Sequence, residues 1–165
     1  VLTRPIFLSA QLGDGGYGII LPLQGFQKLW ENLYGYIEGD YLINPREEND
    51  THVYPPNINI KNTVPDSYFA RAGVSYVIWP EGGLSLSVGA RIDGVPVHDL
   101  VGGSGGFRIA GYSVYVDPGV SWSYGRSSVS VNVPVAVERN LQATSTVKAG
   151  ALSAYLVVAS YSIKF

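Results

Sequence analysis

The chain has 165 residues, among them 20 glycines, 10 prolines and 12 tyrosines, and eleven basic against thirteen acidic residues leave a formal charge of −2. It has no cysteine, which excludes disulfides, thiolate metal sites and a cysteine nucleophile, and its near-balanced charge provides no basic footprint for nucleic acid. Charged residues make up 15% and aromatic ones 12%, against about 25% charged in an ordinary soluble domain, while no apolar run approaches the ~20 residues of a membrane helix. Two candidates remain, a soluble all-β domain and a barrel whose apolar surface faces lipid. The length suits one domain over residues 1–165. Lacking methionine, Val1 is expected to follow a removed signal peptide or to begin a fragment, in which case the chain is the C-terminal part of a larger barrel.

Strict alternation of apolar and polar residues marks strands with two unlike faces. Arg4–Leu12 and Tyr17–Lys28 are plausible strands with blurred alternation, joined by a tight turn at Gly13–Gly16. Leu33–Ile43 is clearer: Leu33, Ile37, Tyr41 and Ile43 oppose Tyr34, Tyr36, Glu38 and Asp40. Phe26–Tyr34 reads as strand ends and a turn rather than a helix. The link Asn44–Asp66, rich in charge and proline, predicts an irregular excursion, with a short hairpin arm at Val53–Ile60 as one option.

Tyr68–Trp79 then sets Tyr68, Ala70, Ala72, Val74, Tyr76 and Ile78 against Phe69, Arg71, Gly73, Ser75, Val77 and Trp79. After a turn at Pro80–Gly83, Leu84, Leu86, Val88, Ala90 and Ile92 oppose Ser85, Ser87, Gly89, Arg91 and Asp93. Gly94–Gly106 is a long loop; its Gly102-Gly103-Ser104-Gly105-Gly106 run lacks the Lys-Ser/Thr and following helix of a phosphate cradle. Tyr112–Tyr124, a turn at Gly125–Ser127, and the all-valine face of Val129, Val131, Val133, Val135 and Val137 complete a hairpin. A loop at Leu141–Lys148 leads to a last strand within Ala149–Phe165, giving eight in all.

Two features favour the membrane candidate. Several runs reach 11 residues or more, the length a tilted membrane strand needs and about twice that of an ordinary strand. The apolar face of the five clear strands carries no Asp, Glu, Lys or Arg, whereas Glu38, Asp40, Arg71, Arg91, Asp93, Asp117 and Glu138 share the other face with Gly and Ser. In a membrane barrel those seven line the lumen. Aromatic residues at strand ends fit interfacial girdles, and short turns alternating with long loops fit the periplasmic and outer sides. The expected fold is therefore all-β, an antiparallel up-and-down transmembrane β-barrel with about eight strands in this chain.

The terminal run Tyr155-Leu-Val-Val-Ala-Ser-Tyr-Ser-Ile-Lys-Phe165 resembles the C-terminal targeting strand of bacterial outer-membrane β-barrel proteins. That resemblance implies a Gram-negative outer-membrane location and makes Tyr161, Ile163 and Phe165 contacts for the barrel-assembly machinery. The stretches Val64–Val74, Gly94–Phe107 and Asp117–Ser121 are also similar to uncharacterised transporter-like outer-membrane barrels.

An enzyme is not expected. His98 and Asp99 are adjacent, so in an extended chain they point apart, and Ser104 has no spacing that would build a hydrolytic relay with them. No metal or cofactor motif is present; Glu47, Glu48 and Asp50 read as a solvated loop rather than a calcium cluster. The expected function is porin-like or transporter-like passage of small polar solutes through a charged lumen. A non-conducting barrel that scaffolds a surface assembly through its outer loops is the competing class, and a soluble barrel for an apolar ligand the third. Membrane lipid is the expected partner; a homo-oligomer or a surface partner stays open, and so does pore width, because eight strands enclose little more than their own side chains.

Overall fold

The computed structural model describes residues 17–46, 48–52, 61–104, 108–141 and 153–165. Among these there is no helix, and eleven strands form: β1 (Ile19–Lys28), β2 (Leu33–Ile43), β3 (Glu48–His52), β4 (Lys61–Thr63), β5 (Ser67–Trp79), β6 (Leu84–Val95), β7 (Gly111–Val116), β8 (Gly119–Tyr124), β9 (Ser127–Asn132), β10 (Val135–Leu141) and β11 (Val158–Ile163). All pairings are antiparallel; with β7–β8 and β9–β10 each counted as one interrupted strand and the separate β3–β4 hairpin set aside, neighbours pair in order, so the large sheet is an up-and-down meander curled into a half-barrel.

Two of the long predicted strands are each interrupted by one proline. Ala90 faces Val116 in β7 and Ser87 faces Gly119 in β8, with Gly89 and Asp117 exchanging backbone hydrogen bonds of 3.2 and 2.8 Å between them. The register thus runs unbroken through Pro118. Proline has no N–H to give to the ladder, yet its carbonyl still accepts from Val133 N at 2.9 Å. Pro134, between β9 and β10, accepts from Leu156 N at 3.0 Å in the same way. The last strand consequently begins before β11, since Tyr155 bridges Val135.

The five clearest predicted strands all form, and the turns at Leu29–Asn32 and Pro80–Gly83 connect β1–β2 and β5–β6. Gly83 and Gly125 hold positive φ of 70° and 60° at two of the tight turns, a conformation that glycine adopts without steric cost. The predicted arm within Asn44–Asp66 is a hairpin, but its strands are β3 and β4, which flank Val53–Ile60. Val53–Ile60 itself, the predicted strand Arg4–Leu12, the turn at Gly13–Gly16 and nearly all of Leu141–Lys148 lie outside the described residues.

The distribution of burial is the reverse of a water-soluble sandwich. Among the described residues only Val64, Ala110 and Tyr115 are buried and hydrophobic. The valines and leucines that alternate along β5, β6, β8 and β10 face outward, Leu86 at 48%, Val88 at 50% and Val137 at 63% exposure. Cross-strand pairing makes this a continuous field: Val74 lies opposite Val88, and Tyr76, Leu86, Val120 and Val131 form one row. The opposite face turns into the curl, where Ser113 and Asp117 are fully buried.

Candidate functional site: the inner face of the curl

Register brings Glu38 (β2), Arg71 (β5), Arg91 (β6) and Tyr115 (β7) into one row across four strands. Two guanidiniums placed side by side repel, and each turns to its own acid and ring. Arg71 donates to Glu38 through Nε and Nη2, both at 2.7 Å, and reaches Asp117 through Nη1 at 3.4 Å. Its guanidinium lies 5.5 Å from the Tyr36 ring centre. Arg91 Nε donates to Asp93 at 2.8 Å, and its guanidinium sits 4.6 Å from the Phe69 ring centre and 6.0 Å from that of Tyr115. Such cation–ring contacts strengthen where water is excluded. Glu38, Asp93 and Asp117 against Arg71 and Arg91 leave the row with one net negative charge.

Asp117 is the most enclosed of these acids. Its Oδ2 meets Arg71, while its Oδ1 has no hydrogen-bond partner among the described residues, nor do the buried Tyr36 Oη and Ser113 Oγ. Tyr36 reaches this depth through a slot made by two cross-strand glycines. A Cβ at Gly73 would lie 2.6 Å from Tyr36 Oη, and one at Gly89 would lie 2.5 Å from it. Gly89→Ala is accordingly expected to destabilise the folded protein by ~1–3 kcal/mol, the usual cost of overpacking. A urea unfolding midpoint unchanged from the parent would show that Tyr36 does not need the slot.

Of the seven predicted lumen residues, five meet in this cluster: Glu38, Arg71, Arg91, Asp93 and Asp117. Asp40 shares the inner register but is exposed, opposite Phe69. Glu138 departs from expectation. A β-bulge between Ala136 and Glu138 inserts Val137, so Glu138 falls opposite Val114 on the outer face and accepts a 2.9 Å hydrogen bond from Tyr112 Oη. A single extra residue reverses alternation beyond it, and Arg139, opposite Ser113, takes the inner register instead.

Toward the turns at Pro80–Gly83 and Gly125–Arg126 the inner face of β5, β6, β8 and β9 is uncharged and rich in serine. Ser75 lies opposite Ser87, Ser85 opposite Ser121, Ser121 opposite Ser130, and Ser130 opposite Ser160. The hydroxyls of Ser130 and Ser160 are 2.7 Å apart, and those of Ser128 and Ser162 2.9 Å. Phe26 and Tyr34 stack on the same face with ring centres 5.0 Å apart.

At the other end, the two long loops are tied together by a buried polar network that sequence reasoning missed. Asp66 accepts from Asn44 N at 2.7 Å, Tyr41 Oη at 3.1 Å and Leu100 N at 2.9 Å. Its own N–H donates to Asp99 Oδ1 at 2.9 Å, and Asp99 is gripped by both Arg108 Nη atoms at 2.9 and 2.5 Å. These residues sit among glycine- and proline-rich loops whose composition signals only exposure; charges flanked by prolines at a strand entry, as in Pro65-Asp66, were the available hint. His98 is exposed, Asp99 is committed to Arg108, and Ser104 Oγ accepts from Asp99 N at 3.1 Å, so these three build no relay. His52 lies in β3. Among the described residues no group of three or more His, Asp or Glu is poised for a metal.

Tyr161 and Ile163 stand on β11 in the outer-face register of Val129, with Phe165 fully exposed beyond them. Tyr161 Oη and Ser127 Oγ are 3.1 Å apart. Compared with known proteins, the chain matches no family model, no curated protein and no solved structure.

Proposed function

We propose that this chain is a wall-forming β-barrel protein of a bacterial outer membrane, passing small polar solutes along its inner face. The observation that carries this reading is the inversion of the two faces. An aliphatic field crosses strand after strand on the outside, while the guanidinium–carboxylate row is turned inward. Monomeric soluble proteins rarely expose contiguous apolar patches beyond a few hundred Å², whereas lipid-facing strands require them. Hydrocarbon chains are the natural cover for Val74, Leu86, Val88 and Val120. Tyr161, Ile163 and Phe165 are proposed as the contacts read during barrel assembly, and no catalytic step is assigned.

Ion preference should follow the excess carboxylate. In a planar bilayer the protein is expected to give steady, cation-preferring openings, and Asp117→Asn, which removes the enclosed acid, to weaken or reverse that preference. Silence in the bilayer favours the second reading, a non-conducting scaffold. One observation supports that alternative: the Asp66–Asp99–Arg108 network binds the two long loops to one another over the loop end of the barrel.

A further inference from the structure

The geometry points to a binding site for a neutral, polyhydroxylated solute, of monosaccharide size, on the serine-rich inner face below the charged row. This deepens the passage reading and rests on it. A cavity of about 240 Å³ opens there, floored by Ser75, Ser87, Ser121, Ser130 and Asn132. That is below the ~300–1,000 Å³ of sites for drug-sized ligands, which limits an occupant to about one sugar ring.

The chemistry of the floor selects the class. A serine hydroxyl is both donor and acceptor and can rotate to suit, so a carpet of them matches a ligand whose groups are hydroxyls of the same dual kind. Gly119 allows the floor to be polar and close. A Cβ there would fall 2.7 Å from Ser87 Oγ and would also collide with Asn132 Nδ2, so these two groups converge over the bare glycine. An apolar solute displacing water from this surface would strand those groups unpaired. A free ion would shed its hydration with little compensation, because Glu38 and Arg71, the charged groups at the cavity rim, are already engaged with each other at 2.7 Å.

The wall supplies the second requirement of a sugar. Phe26, 68% exposed as a residue, lines the cavity, and Tyr34 stacks on its ring. An exposed, oriented aromatic face accepts the C–H side of a sugar while the hydroxyls reach the serines. At the rim, the Glu38–Arg71 pair offers one acceptor and one donor group at fixed spacing, a fit for two neighbouring hydroxyls.

The test is osmotic swelling of liposomes carrying the full chain, with D-glucose, lysine hydrochloride and sodium glutamate as separate probes. The expected result is swelling in glucose faster than in either salt. The triple change Ser87→Ala, Ser121→Ala and Asn132→Ala should lower the glucose-to-lysine rate ratio about tenfold, from three lost hydrogen bonds of modest net worth each. Phe26→Ala, distant from those three in sequence, should by itself lower the same ratio, and decides the matter where the triple variant folds poorly. Lysine or glutamate entering as fast as glucose, or a ratio unmoved by both variants, overturns the polyol site while leaving passage intact. Absence of swelling in all three probes, together with silence in the planar bilayer, overturns the site and the passage reading alike.

Discussion

Arg108→Ala is expected to cost about 3–5 kcal/mol of folding stability, the range for removing one partner of a buried ion pair. The side chains of Arg108 and Asp99 are 7% and 1% exposed, so the remaining carboxylate could not recover its lost partner by turning to water. Asp99 would keep the N–H of Asp66, and Asp66 in turn holds Asn44, Tyr41 and Leu100. Loss at Arg108 therefore propagates to both loops. Most of the cost is the stranded charge, so Arg108→Met combined with Asp99→Leu should recover much of it. Guanidinium unfolding followed by tryptophan fluorescence provides the measurement. A loss of about 1 kcal/mol or less, the worth of an exposed pair, would mean that the loops are held by other contacts.

Val88→Arg, in the middle of the outward aliphatic field, should destabilise the bilayer-inserted protein by about 2–4 kcal/mol, as a cation does on the lipid face near the midplane. Ser87→Arg, one residue earlier and on the other face, should be far milder. Its side chain enters a polar cavity beside Glu38. The comparison separates the membrane reading from its soluble rival, since a water-exposed Val88 would accept arginine at almost no cost. Equal tolerance at the two positions would remove lipid from the outer face.

Much of the fold was legible because its cause is local. Side chains alternate along any strand with a period of two, so Val129 to Val137 or Leu84 to Ile92 declare two faces without reference to any partner. The charged row was legible as a set for the same reason. Its pairing was not: Arg71 meets Asp117, 46 positions away, through a register that spans β5, β6 and the β7–β8 strand. A hairpin arm is legible within the link Asn44–Asp66, but the pairing of β3 with β4 is not, because a proline-rich, charged composition leaves open which residues will pair.

Glu138 shows the limit most sharply. In sequence it continues the inner-face alternation; in the sheet, Val137 bulges and the position turns outward to Tyr112. A bulge depends on how β10 must match β7, and nothing in residues 135–141 alone encodes that match. The slot for Tyr36 is similar: Gly73 and Gly89 look like ordinary flexible residues until cross-strand pairing sets them side by side under one ring.

By itself, the sequence determined the strands, their two unlike faces and the absence of charge from the aliphatic one, since these follow from backbone geometry and residue type within a few positions. Tertiary structure alone decided which acid holds which guanidinium, where Glu138 points, and that Asp66, Asp99 and Arg108 lock two loops together. Those outcomes rest on distances between residues far apart in the chain, and such distances exist only once register and curl are fixed.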